Sequence, residues 1–312
     1  MCYNPCNMSA IRTLLTESID YAGLFPPAGL DMATAVENYA RYRSDPAAWA
    51  LGRFVVPVSR LREFEATTAR AVPGGTDRPW RLALLAGPDL AGDLEITADF
   101  NRRHSEPGLP PVLADTIEVK ASSVRGIKDI MHRIPRTLQA YVEVPIDRDP
   151  RDLLAAVGQL GGRAKVRTGG VTTDAFPTTT DLIRFLRGCV EAGVPFKATA
   201  GLHHPLRAAY RLTYAQDSPS GTMFGFLNLL LAIAFLRSGM AEAEVARVLE
   251  EGEPNALQAD DSGISWRNRR LDLKALREAR RLGMISFGSC SFTEPIADLE
   301  SLHLLAPGVP QA

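Results

Sequence analysis

Eight strand-like runs alternate with helix-like runs at fairly even spacing along 312 residues. This predicts parallel β-sheet built from βαβ units and closed into a (β/α)8 TIM-type barrel of the α/β class. Length agrees, because α/β barrels of this size are routinely one domain. So does a third observation: polar pairs two residues apart recur in four successive runs, and an apolar helix-facing layer would make such pairs costly. A doubly wound open sheet is the competing architecture, since periodicity does not show closure.

In order, residues 1–12 read as a loose N-terminal tail and residues 13–312 as a single barrel domain. Met1–Asn7 lacks a basic stretch followed by an apolar core, so it does not read as a secretory signal. The first strand is placed in Ile19–Phe25, closed by Pro26-Pro27. Asp31 then caps a helix whose Met32, Ala35, Val36, Tyr39 and Tyr42 fall near one face. Arg53–Val58 is the second strand, with Ser59 opening the next helix, and Pro73–Pro79 is a loop. The third strand, Trp80–Leu85, ends at Gly87-Pro88 and leads to a helix running towards His104.

Pro107, Gly108, Pro110 and Pro111 mark a loop before the fourth strand, Val112–Val119. Ser122 or Ser123 caps the following helix, which ends near Pro135, and Leu138–Val144 is the fifth strand. The sixth and seventh strands lie in Ala164–Gly170 and Pro195–Gly201, and the eighth is Met284–Ser289, followed by a helix-like tail from Glu294. The main irregularity is residues 202–283, with helical runs at Thr222–Leu236, Ala241–Glu251 and Leu271–Leu282. These predict a helical insertion between strands seven and eight, packed on the barrel and reaching over its mouth. The apolar 222–236 run is shorter than the ~20 residues of a membrane span and contains Asn228, so it reads as a buried helix.

A formal net charge of −1 provides no general field for nucleic acid or an anionic membrane. Cys2, Cys6, Cys189 and Cys290 are too scattered for a disulfide framework or a spaced zinc site, and suit a reducing cytoplasm. The expected partner is therefore a small molecule, and a homo-oligomer is compatible with the chain.

The most informative residues are the lysines. Of 35 basic residues only five are lysines, yet Lys120, Lys165 and Lys197 stand in three different strand-like runs. Lysine is depleted from strands, and unlike arginine it can lose its proton when its surroundings lower its pKa. In a barrel the chemistry sits at the C-terminal ends of strands. That places Glu118 and Lys120, Tyr141 and Glu143, Lys165 and Arg167, and Lys197 and Thr199 at the mouth, each pair sharing one strand face.

Two lysines on adjacent strands can supply an amine of depressed pKa, because one ammonium disfavours protonation of the other. Such an amine attacks an aldehyde or ketone and forms a Schiff base, with Glu118 or Glu143 shuttling protons. Arg167 has the fork geometry for a carboxylate or phosphate. The bland alternative is an internal ion-pair layer that fills the barrel.

The sixth and seventh runs resemble those of class I aldolases of the deoxyribose-phosphate aldolase type, where strand six carries a lysine before a Thr/Ser/Gly segment and strand seven a second lysine. The resemblance implies that Lys165 forms the Schiff base, that Lys197 tunes it, and that Glu118 stands where the family usually has aspartate. It also implies a phosphate loop at Phe287-Gly288-Ser289. Arg167 and the long 202–283 span depart from the family pattern.

Gly169-Gly170 after Thr168 would let a backbone approach an anion, although an ordinary βα turn also uses glycines. Gly201-Leu202-His203-His204 follows strand seven, where both histidines can reach the mouth for substrate contact or proton transfer. A metal site would want more ligands, and His104 and His132 fall on helices away from the mouth. Cys290 beside the last strand reads as packed and inert, and Asp20 and Tyr21 join the candidates by position alone.

The sequence thus predicts an aldolase-type lyase acting on a small carbonyl or anionic substrate, with no cofactor and no metal. Lys165, Lys197, Glu118, Glu143 and Lys120 are its catalytic candidates. Arg167, Thr168, Gly169, Gly170, Thr199, Gly201, His203, His204, Gly288 and Ser289 are its substrate-binding candidates. One alternative uses the cations as an anion clamp beside a glutamate base, for isomerisation or elimination. Another is a non-catalytic barrel that binds a small anion and presents the 202–283 helices to a partner.

Overall fold

The computed structural model describes residues 9–71, 79–106 and 109–306. Met1–Met8, all of the Pro73–Pro79 loop except Pro79, and Pro107 with Gly108 lie outside the described residues. The chain forms α1 (Ser9–Leu15), β1 (Ile19–Tyr21), α2 (Met32–Arg43), β2 (Leu51–Pro57), α3 (Leu61–Ala71), β3 (Trp80–Leu85) and α4 (Leu90–His104). There follow β4 (Val112–Lys120), α5 (Val124–Arg133), β5 (Gln139–Glu143), α6 (Arg151–Gln159), β6 (Arg163–Arg167), α7 (Thr179–Ala192) and β7 (Phe196–Thr199). Next come β8 (Ala208–Arg211), β9 (Ser220–Met223), α8 (Phe226–Arg237), α9 (Glu242–Leu249), β10 (Leu257–Ala259), β11 (Gly263–Trp266), β12 (Arg269–Asp272), α10 (Leu273–Leu282), β13 (Met284–Ser289) and α11 (Thr293–Ser301).

Strands β1 to β7 and β13 pair in parallel and close into an eight-stranded barrel, with β13 between β7 and β1. Helix starts follow the local chemistry: Asp31 accepts from Thr34 N–H, Ser123 from Gly126 N–H, and Thr178 forms a capping box with Asp181. Outward strand residues make the core with the helices. Phe54 packs on Tyr39 and Phe64 at ring distances of 5.2 and 5.7 Å, and Trp80 on Tyr39 at 4.9 Å. Polar side chains on the opposite strand faces, Asp20 of β1, Glu118 of β4, Glu143 of β5, Lys165 of β6 and Lys197 of β7 among them, build the features described below.

The first strand is shorter than expected. It stops at Tyr21, because Phe25 N–H turns back to Ala22 O. Residues 9–12, expected in the tail, belong to α1, whose Ala10 and Ile11 are buried. The three helices expected in 202–283 are present, and the span also holds five short strands. Helix α8 is buried almost all round, packed against α7, α10 and β13, and serves as the barrel helix of the seventh βα unit. Its Asn228 caps the carbonyls of Val248 and Glu251. The β8–β9 hairpin lies on the mouth side, and β10–β12 form a small antiparallel sheet beside α1. No helix among the described residues is long and apolar enough to cross a membrane.

Candidate active site

Parallel register brings the lysine strands together, with Glu143 opposite Lys165 and Lys165 opposite Lys197. Alternation then points these three side chains, with Glu118 and Asp20, into the barrel. Lys197 Nζ donates to Asp20 Oδ2 and to Glu118 Oε1, both at 2.6 Å. The other Glu118 oxygen lies 2.7 Å from Lys165 Nζ, and Glu143 Oε2 lies 3.0 Å from the same ammonium. The result is a chain of alternating sign, Asp20–Lys197–Glu118–Lys165–Glu143.

Its inner members are almost sealed. Relative exposure is 1% at Asp20 and Lys197, 2% at Glu118 and 4% at Lys165. Asp20 is fixed further by Ser286 Oγ, which donates at 2.8 Å, and by the Arg53 backbone N–H at 2.8 Å. The Tyr141 ring faces Lys197 Nζ at 5.6 Å, a cation–π contact. At the outer end, the Lys120 and Arg167 cations stand 3.4 and 3.9 Å from Glu143 Oε1. Both are more than half exposed, so they form the rim.

Burial alone would push a carboxylic acid towards its neutral form, but the two ammonium groups outweigh it at Glu118 and bring its pKa down to about 2. At Lys197 burial works against the charge, yet Asp20 and Glu118 more than offset it and hold the pKa above the ordinary lysine range. Burial likewise opposes ionisation of Glu143, and Lys165 overrides it, so this carboxyl is held below its ordinary pKa. The expectation that one lysine depresses the other therefore fails at Lys197. A carboxylate stands between the two amines, and attraction to it at hydrogen-bond distance exceeds repulsion from the next ammonium.

The remaining candidates divide. Thr168 is buried and donates its hydroxyl to Ala200 O at 2.7 Å, tying two loops together. A Cβ at Gly169 would meet the Phe176 ring at 2.5 Å and Gly201 Cα at 3.1 Å, so close loop packing accounts for that glycine. Gly201 has a positive φ of 71°. Thr199 flanks Gly288, where an added Cβ would come 3.3 Å from its hydroxyl.

Ser289 and His203 belong to a second cluster. His203 Nδ1 lies 3.3 Å from Ser289 Oγ, 3.7 Å from Cys290 Sγ and 3.5 Å from Glu294 Oε2. Burial disfavours a charged His203, but the Cys290 and Glu294 contacts carry its pKa up to about 9. His204 pairs with Asp298 at 2.6 Å and stacks on Tyr210 at 3.6 Å.

The hairpin delivers Tyr214 to this cluster, its hydroxyl 3.4 Å from Cys290 Sγ and 3.1 Å from Glu294 Oε2. The cavity beneath is only about 40 Å³, room for a few waters. Cys189 is buried in α7, and Cys2 and Cys6 lie outside the described residues. Among the described residues no group of three or more His, Cys, Asp and Glu side chains could hold a metal.

Sequence reasoning named both lysines and both glutamates, but reached Asp20 only by position and missed Ser286. An acid two residues into the first strand was the available signal for Asp20; nothing local marks Ser286. No protein-family model matches the chain, and no curated protein does either.

Proposed function

We propose that this barrel is an enzyme of lyase type in which the Lys165 amine condenses with a small aldehyde or ketone. The observation that carries the reading is the different placing of the two lysines. Lys197 is committed to Asp20 and Glu118 deep in the barrel, whereas Lys165 lies between Glu118 and Glu143 on the side that leads to the Arg167 and Lys120 rim.

On this reading the Lys165 ammonium gives a proton to Glu143, and the free amine adds to the carbonyl carbon. The carbinolamine then takes a proton on its hydroxyl and loses water, leaving an iminium. The iminium accepts the electron pair of the adjacent carbon–carbon bond as that bond breaks, or returns it as the bond forms. Lys197 stays an ammonium and keeps Glu118 ionised. Arg167 and Lys120 receive a carboxylate or phosphate on the substrate. The likeness to deoxyribose-phosphate aldolases agrees with this assignment of Lys165.

A clamp made of Lys165 and Lys197 fits less well, because Asp20, Glu118 and Glu143 already neutralise them. A different reading is favoured by the ionised state of Glu143 beside two rim cations: Glu143 acts as base for isomerisation or elimination. Borohydride trapping separates the two. The protein is incubated with small aldehydes, ketones and their phosphorylated forms, reduced, and mapped by peptide mass. An adduct on Lys165 that is absent from Lys165→Arg is the expected outcome. Turnover of a substrate from the panel with no adduct at either lysine overturns the Schiff base in favour of the Glu143 base.

A further inference from the structure

The opposite end of the barrel holds a second polar constellation that the mouth does not use. Arg53 is third in β2, Arg81 second in β3, Asp115 fourth in β4 and Arg163 first in β6, so all four side chains gather at the N-terminal ends of neighbouring strands. With Arg136, from the turn between α5 and β5, they line a cavity of about 1080 Å³. Four arginines thus meet one lining carboxylate.

That carboxylate is fully occupied. Asp115 Oδ1 accepts from Arg53 Nε at 2.6 Å, and its Oδ2 from Arg53 Nη2 at 3.0 Å and Arg81 Nε at 2.8 Å. Glu17 reaches Arg81 at 3.3 Å from an exposed position. Arg163 donates to the Tyr141 hydroxyl at 2.9 Å, and among the described residues neither Arg163 nor Arg136 has a carboxylate partner. Arg280, from α10, is a half-buried cation held by the carbonyls of Met284, Ile285 and Thr16.

A concave site with low-dielectric walls concentrates such a field, and guanidinium groups fixed by their neighbours present paired N–H donors to oxyanions. Arg163 is half-buried without a carboxylate, and a layer that served stability alone would balance such a charge, since partly buried cations without counter-charge are costly. The geometry points to a second ligand site here: a pocket for a small organic molecule bearing a multivalent oxyanion such as a diphosphate. Arg136 and Arg163 bind the oxygens, while Arg53 and Arg81, locked by Asp115, supply the field behind them. Met131, Ile134 and Leu160 give the apolar part of the ligand a wall.

Inorganic pyrophosphate is the probe, titrated calorimetrically into the full-length protein at constant ionic strength. Saturable binding is expected, weakened about tenfold or more in Arg136→Gln, in line with the loss of one charge-assisted hydrogen bond. Arg136 is exposed, so this variant keeps its fold, and Arg163→Gln should weaken binding similarly. Arg62→Ala, which removes an exposed arginine of α3 that belongs to neither site, should leave affinity unchanged. Binding that survives Arg136→Gln, that disappears in Arg62→Ala, or that never exceeds a chloride control overturns the site. The readout does not depend on whether Lys165 forms an adduct.

Discussion

At the C-terminal end of the barrel, three carboxylates alternate with two lysines, and each inner charge touches its opposite. At the N-terminal end, four arginines line one cavity with Asp115, which pairs with Arg53 and Arg81, and Glu17 reaches Arg81 from outside. Both ends fill a polar barrel interior, yet the first is electrically complete and the second is not. The complete chain holds Glu118 ionised and Lys197 charged. An incomplete one holds charge in reserve for a ligand.

Breaking the complete end should have the largest effect. Glu118→Gln leaves two buried ammonium groups without the carboxylate they share, and the expected loss is about 3–5 kcal/mol of folding stability. Urea denaturation measures it; a loss below ~1 kcal/mol would mean that Glu118 is not the keystone of the chain.

The incomplete end should respond less and in a ligand-dependent way. Asp115→Asn removes the counter-charge from Arg53 and Arg81, at an expected cost of about 1–3 kcal/mol. Pyrophosphate should restore more stability to this variant than it adds to the wild type, read as the difference in melting temperature with and without the ion. Equal gains in the two proteins would separate the anion from these arginines.

The smallest effect is the slope of stability with pH. Glu118 has a folded pKa near 2 against an ordinary 4.5, so its contribution is complete above about pH 4.5 and is lost as pH falls through 2. Lys197 is shifted upward, so its contribution is complete below the ordinary lysine pKa of 10.5 and is lost as pH rises beyond it. Unfolding free energies from urea titrations across the acid range should fall with a slope of up to ~1.4 kcal/mol per pH unit from Glu118. Glu118→Gln should flatten that limb, and an unchanged limb would assign acid sensitivity to other carboxyls.

Much of this was readable in the sequence because barrel strands are local. The runs that became β3 and β13 were placed to the residue, and the two-residue spacing of Glu118 with Lys120 and of Lys165 with Arg167 put the right faces inward. Charge pairing was not local and so was not readable. The depressed-pKa argument for Lys165 and Lys197 compared neighbouring strands only, whereas the residue that separates their amines sits on β4. The arginine pocket escaped notice because its members are spread over four strands and one turn. The strands within 202–283 are only three or four residues long, too short to leave a period.

The ion chain also has a history in time. Asp20 and Lys197 are 177 positions apart, Glu118 and Lys197 79, and Ser286 lies 266 positions after Asp20. A ribosome must therefore complete β13 before that strand can wall in the charges of β1 and β4. Until then those side chains stay hydrated, and the closing of the cylinder and the drying of its interior become a single late event. Contacts of such long sequence separation make that event slow, so the interior charges stay exposed in the interval between the synthesis of β13 and closure.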